Sequence, residues 1–198
     1  MCIRDRTSRT SGARGTSAAT DIAYIAVFAA LISVLGFVSV PIGAAGVPIV
    51  LQNAATILAG LVLGGRRGFL ATALFLLVGC FLPVLAGGST VIHALAGPTV
   101  GYLAGYLLGS GAAGLIAYRA PFNNKAATIA VFFLGGLVAI AFQYVLGSFG
   151  LVWRADMGLG AAFAAQLAFI LPDLGKLAVM VAIAFAVHSA FPQLRRTR

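Results

Sequence analysis

Polar positions are rare along this chain and gather into short clusters that separate long apolar runs. A helix needs about 20 mostly apolar residues to cross the roughly 30 Å of a bilayer's hydrocarbon core. On that measure five runs read as crossings: Asp21 to Val40, Pro48 to Leu63, Gly68 to Leu85, Pro98 to Tyr118 and Ala126 to Phe149. The last apolar stretch, Gly158 to Ala190, is too long for one straight span. Pro172 interrupts it, and proline lacks an N–H and clashes with the preceding helical turn. The pattern therefore predicts a break there. Residues 159–171 form an interfacial or re-entrant piece, and a sixth crossing starts at Pro172, since proline is favoured in the first helical turn.

The predicted fold class is an all-α integral membrane bundle of six transmembrane helices. Composition agrees: the chain is 61% hydrophobic and 9% charged, with a mean hydropathy of +1.06, too little charge to wet the surface of a soluble domain. Residues 1–20 are polar, basic and rich in Ser, Thr and Gly. They cannot bury enough apolar surface to fold, so they read as a disordered cytoplasmic leader, with 191–198 as a basic cytoplasmic tail.

The net charge of +9 does not point to nucleic acid, because the basic residues are spread over short loops instead of one stripe. They fix orientation instead, since Lys and Arg collect on the cytoplasmic side of short loops. Arg4, Arg6, Arg9 and Arg14 precede the first crossing. Arg66 and Arg67 follow the second, Arg119 and Lys125 separate the fourth and fifth, and Arg195, Arg196 and Arg198 end the chain. Both termini are expected in the cytoplasm. Cys2 and Cys80 are suited to neither a disulfide framework nor a metal site, so no metal or other cofactor is expected.

Two charges break the rule that membrane segments avoid them. Asp173 and Lys176 lie in FILPDLGKLAVM, at i, i+3 spacing on one side of the expected sixth helix and within its first turn. Each costs roughly 2.5 to 3.5 kcal/mol inside a membrane even on lenient scales, so such groups face a cavity or each other. They are the first candidates for a ligand site; a self-satisfied ion pair is the alternative. The outer loop at 83–99 adds Gly88, Ser89 and His93 as candidates, and residues 41–56 add Gln52 beside Asn53. Those amides could equally satisfy backbone groups. In the fifth crossing Gln143 and Tyr144 pose the same choice, and Tyr144 is preferred because its ring packs while its hydroxyl bonds.

Small residues mark packing faces. Gly97, Gly101, Gly105 and Gly109 recur every four residues and form a smooth ridge for close helix contact. Ala26 and Ala30 offer a similar face on the first helix. No G-x-x-x-x-G-K-[ST] loop occurs, so the chain does not bind ATP by a P-loop, and any ATP energy has to come from another subunit.

Several segments together resemble one family: AALISVLGFVSVPIGAAGVPIVLQNAATILAGLVLGGRRG, LVGCFLPVLAGGS, LAGPTVGYLAGYLLG and LPDLGK, in that order. In these the chain resembles the BioY-type substrate-binding subunits of energy-coupling-factor transporters. The resemblance covers most of residues 22–190. It implies a six-helix S-component bundle in the cytoplasmic membrane of a prokaryote, a biotin pocket open to the outside, and partnership with a transmembrane coupling subunit and cytoplasmic ATPases. By the same resemblance Asp173 and Lys176 make polar contacts with biotin, and Ala26 and Ala30 dock the coupling subunit. The chain departs from the pattern at PTVGY and at LPDLGK, where a glycine usually parts the proline and aspartate. A different vitamin, a proton-coupled secondary transporter acting through Asp173, and an intramembrane serine protease using Ser110 and His188 remain as other readings. On the leading reading the chain has no enzymatic activity of its own.

Overall fold

A computed structural model describes residues 13–40 and 47–196. Among the described residues eight α-helices make up the body: α1 Ala13–Leu35, α2 Gln52–Leu63, α3 Gly65–Gly79, α4 Val91–Ala96, α5 Val100–Ala117, α6 Lys125–Arg154, α7 Leu159–Ala165 and α8 Leu167–Ala190. Two short strands, β1 Ser39–Val40 and β2 Ile49–Val50, pair antiparallel, with Ser39 opposite Val50 and Val40 opposite Ile49. Within the described residues four segments are long and apolar enough to cross a membrane: Ala18–Leu35, α5, α6 and Leu159–Ala190.

The expected second and third crossings fall short of that length. α2 has 12 residues and α3 has 15, about 18 and 22 Å at 1.5 Å per residue. The β-ribbon precedes α2, and past Gly79 the chain continues through turns to a 3-10 turn at Ala86–Gly88. Every residue of α2 is buried, and it packs against α1, α3, α5 and α8. α2 is buried on all sides and apolar beyond its first turns, as befits a helix at the centre of a bundle.

The glycine ridge works as predicted over three of its four positions. A methyl at Gly101 would strike the Leu146 carbonyl of α6, one at Gly105 would sit 2.6 Å from the Gln143 Cα, and one at Gly109 would sit 3.0 Å from the Ala139 carbonyl. Gly97 is instead the residue that ends α4. Such close backbone approach is how helices gain dispersion contact in lipid.

Three expectations need correction. First, α1 begins at Ala13, so residues 13–20 of the expected leader are helical; Ala13, Ala18 and Ala19 favour helix, and an established span extends at little cost per residue. Residues 1–12 and 197–198 lie outside the described residues, and 192–196 form a 3-10 turn. Second, the first helix stops at Leu35 and the third at Gly79, before the expected Val40 and Leu85.

Third, the break in the last apolar stretch falls at Gln166, and Pro172 lies inside α8. Proline there removes only the N–H that would reach the Ala168 carbonyl, near a helix start where few bonds are at stake. Gln166 is a strongly held joint: its Nε2 donates to the Ser148 hydroxyl (3.1 Å) and the Ala162 carbonyl (3.1 Å), and its Oε1 accepts from the Tyr102 hydroxyl at 2.8 Å. Asp173 and Lys176 consequently sit in the second and third turns of α8, deeper than the sequence suggested.

Candidate ligand-binding site

The site is built where the β-ribbon, α2, α5, α6 and α8 meet. Asn53 in the first turn of α2 holds its centre. Its Nδ2 donates to Asp173 Oδ1 at 3.0 Å and its Oδ1 accepts from Lys176 Nζ at 2.8 Å. Lys176 pairs with Asp173 Oδ1 at 2.6 Å and donates to the Val50 carbonyl at 2.8 Å. From α6 the Tyr144 hydroxyl donates to Asp173 Oδ2 at 2.9 Å. Asp173 is 4% exposed, so both charges are bound to protein and withdrawn from lipid.

The ion pair expected as the alternative thus exists, but it is not walled off. A recess of about 20 Å³ touches Asn53, Asp173, Lys176, Tyr144 and Gln143, with Tyr102, Tyr106 and Phe169 around them. It adjoins a chamber of about 250 Å³, with Val47, Pro48, Val50, Tyr102 and Tyr106 common to the walls of both. Together they come close to the roughly 300 Å³ at which small-molecule pockets begin, and they have the usual make-up of apolar walls with a few convergent polar groups.

The outer candidates divide. Ser89 and His93 line the chamber; His93 is solvent-exposed, and the Ser89 hydroxyl donates to the Ala86 carbonyl at 3.3 Å. Gly88 does not border either space among the described residues. With φ of 72° it turns the chain, and its N–H closes the turn on Leu85; that left-handed conformation is one glycine adopts freely. Gln52 borders the chamber but its amide donates to the Ile32 carbonyl (3.1 Å) and the Val84 carbonyl (2.9 Å), which ties α1 to the outer loop. That is the backbone-satisfying role.

Several residues of the site were not selected from sequence. Asn53 was considered beside Gln52, but nothing in the string shows that it and not its neighbour faces the charges. Tyr102 and Tyr106 stand at i, i+4 within G-Y-L-A-G-Y. The glycines there form the packing ridge, and the two rings share one helix face with that spacing and line both spaces.

Ser110 and His188 do not form a reactive pair. Both are fully buried; the serine hydroxyl donates to the Leu107 carbonyl at 3.0 Å, and His188 Nε2 lies 2.9 Å from the Leu61 carbonyl among Tyr118, Phe122 and Phe132. A nucleophile needs a base within reach of its own proton.

The far end of α2 opens on a different surface, a groove of about 1040 Å³ where Leu63 to Arg67, Arg119 and Asp21 meet. Arg67 pairs with Asp21 there at 2.6 Å. Ala26 and Ala30 are exposed on α1 nearby in the chain.

Comparison with known proteins agrees on one relationship. The profile describing the BioY family matches residues 7–193. The biotin transporter BioY of Rhodobacter capsulatus is 40% identical over 184 residues, 87% of this chain and 95% of the relative. That of Rhizobium etli is 34% identical over 179 residues, 88% and 96%. A crystal structure of the S-component for biotin from an ECF-type ABC transporter superposes with a TM-score of 0.78 at 26% identity, covering 88% of this chain and 93% of that one. Matched along nearly its whole length in sequence and in backbone, the chain belongs to the BioY family.

Proposed function

We propose that this protein is the biotin-binding subunit of an ATP-driven vitamin importer of the energy-coupling-factor type. It captures biotin from outside the cell and passes it on through a coupling subunit and ATPases. The observation that carries this reading is the Asp173–Lys176 pair: two charges kept deep in an apolar bundle border a cavity together with Asn53 and Tyr144. In this reading the chain crosses the membrane six times with both termini inside, α2 and α3 being short crossings flanked by irregular backbone. Non-helical chain is tolerated at membrane depth where it lines a cavity.

Biotin's chemistry suits the site. Its polar ureido ring carries two N–H groups, which a carboxylate accepts, and a carbonyl, which an ammonium or amide donates to. The three protons of Lys176 already meet three acceptors, Asp173, Asn53 and the Val50 carbonyl. Binding is therefore an exchange of partners, with Asp173 giving up a protein donor for a ligand N–H. Ser89 and His93 at the chamber wall are placed for the ligand's carboxylate end. The exposed Ala26–Ala30 face of α1 takes the coupling subunit, small residues permitting close helix approach. No metal or prosthetic group takes part.

Calorimetric titration of the detergent-purified protein tests the reading. Saturable, sub-micromolar binding of biotin is expected, weakened at least about tenfold, or 1.4 kcal/mol, in Asp173→Asn and Lys176→Ala. No saturable binding, or tighter binding of thiamine or riboflavin, discards it. Uptake that outlasts ATP depletion and stops with an uncoupler would assign the protein to proton coupling instead.

A further inference from the structure

One polar group in the wall of the recess has no hydrogen-bond partner among the described residues. Gln143 is 1% exposed, and among the described residues its buried Nε2 meets no acceptor. The surrounding network fixes which end of the amide this is. Lys176 can only donate and a carboxylate only accept, so Asn53 must direct Oδ1 to Lys176 and Nδ2 to Asp173, as observed. Asn53 Nδ2 then faces Gln143 Oε1 at 3.5 Å. Turning the Gln143 amide over would set one NH2 group against another, so the donor end points away from Asn53.

The other groups around the recess sharpen the point. Both Asp173 oxygens, the Lys176 ammonium and the Tyr144 hydroxyl are engaged with one another or with Asn53 and Val50, and the Tyr102 hydroxyl donates to Gln166. Tyr106, 8% exposed, makes no hydrogen bond among the described residues. The unspent group whose role is fixed is thus a donor, Gln143 Nε2, and the Tyr106 hydroxyl can add a second proton, in the lining of a space of about 20 Å³. That is room for about one water or one ligand atom.

We infer that Gln143 is a specificity-determining residue whose amide donates to an oxygen acceptor of the ligand, the carbonyl oxygen of a cyclic urea, with Tyr106 as the second donor. This rests on the biotin reading and deepens it. Asp173 reads an N–H of the ring while Gln143 reads the carbonyl oxygen beside it. A ligand that presents an N–H in place of that oxygen would set donor against donor and be rejected.

The test compares the parent with Gln143→Met, which keeps length and removes the donor together with the Oε1 that stands 3.5 Å from Asn53 Nδ2. Each is titrated with biotin, with dethiobiotin, which keeps the urea carbonyl, and with 2-iminobiotin, a guanidinium at neutral pH that has no carbonyl oxygen. Weak ligands are measured by displacement of labelled biotin. Expected is an approximately tenfold loss for biotin and dethiobiotin but a gain for 2-iminobiotin, whose N–H no longer faces a donor, since sites built to hydrogen-bond a group discriminate strongly by it. The melting temperature without ligand should stay close to the parent's, because removing an unbonded buried donor offsets the loss of the long 3.5 Å contact from Asn53. A biotin affinity changed less than threefold overturns the inference, and so does an equal loss for all three ligands or a lowered ligand-free melting temperature, each of which marks a structural glutamine. Failure of the parent itself to bind biotin sinks the proposed function instead, so the two failures are distinct.

Discussion

Removing one charge of the Asp173–Lys176 pair should hurt far more than removing both. In Lys176→Met the carboxylate of Asp173, 4% exposed, keeps only the Asn53 amide and the Tyr144 hydroxyl, and the Val50 carbonyl and Asn53 Oδ1 lose their donor. Breaking a buried pair in this way typically costs about 3 to 5 kcal/mol. Neutralisation sets a ceiling, since protonating a free carboxyl at pH 7 costs about 4 kcal/mol. Asp173→Asn leaves the opposite charge stranded, with a similar loss. In the double variant no charge remains, and the deficit reduces to two or three unmade hydrogen bonds, about 1 to 3 kcal/mol. The singles should therefore sum to at least about 3 kcal/mol more than the double. Thermal unfolding of purified protein in detergent, without ligand, reads this out: for soluble chains of this size 1 kcal/mol moves the midpoint by about 2 to 4 °C. Each single variant should melt roughly 6 to 15 °C low, and the double variant should recover much of that. Single-variant shifts that add up to the double's within about 0.5 kcal/mol would refute a coupled buried pair.

Other perturbations have equally definite outcomes. Gln166→Leu strands the Tyr102 hydroxyl and takes from the Ser148 hydroxyl the amide that donates to it; about 1 to 3 kcal/mol of stability should go, seen as a lower midpoint. Gly105→Leu places a bulky side chain where even a methyl sits 2.6 Å from the α6 backbone, so folded protein should vanish from size-exclusion traces, whereas Gly158→Ala, with nothing within 4 Å, should be silent. Asp21→Asn removes a pair whose aspartate is 39% exposed and should change stability by under about 1 kcal/mol. Ala30→Trp on the exposed face of α1 should abolish co-purification with the coupling subunit while leaving biotin titrations as in the parent.

The membrane character and most helix positions were legible because lipid leaves few solutions: an apolar run must satisfy its own backbone, and a helix does so locally. The ridge at Gly101, Gly105 and Gly109 was legible for the same reason, its period being the helix's own. Asp173, Lys176 and Tyr144 could be picked out because charge and hydroxyl are conspicuous in an oily segment. What the string could not convey was depth and partnership. Pro172 looks like a helix start, yet α8 begins five residues earlier because Gln166, through Tyr102 and Ser148, anchors the joint there.

The distinction runs through the site residue by residue. Adjacent amides with the same chemistry, Gln52 and Asn53, have opposite fates: one fastens backbone between α1 and the outer loop, the other bridges two charges more than a hundred residues away. Only the packing of α2 among α1, α5 and α8 decides which side each amide faces. Composition and periodicity determined that this chain lives in lipid, folds as helices and keeps an acid and a base in apolar surroundings. Tertiary structure alone decided that the two meet beside a cavity, and left one glutamine with a proton to offer, because which long-range partners converge depends on how helices cross and not on the residues read in order.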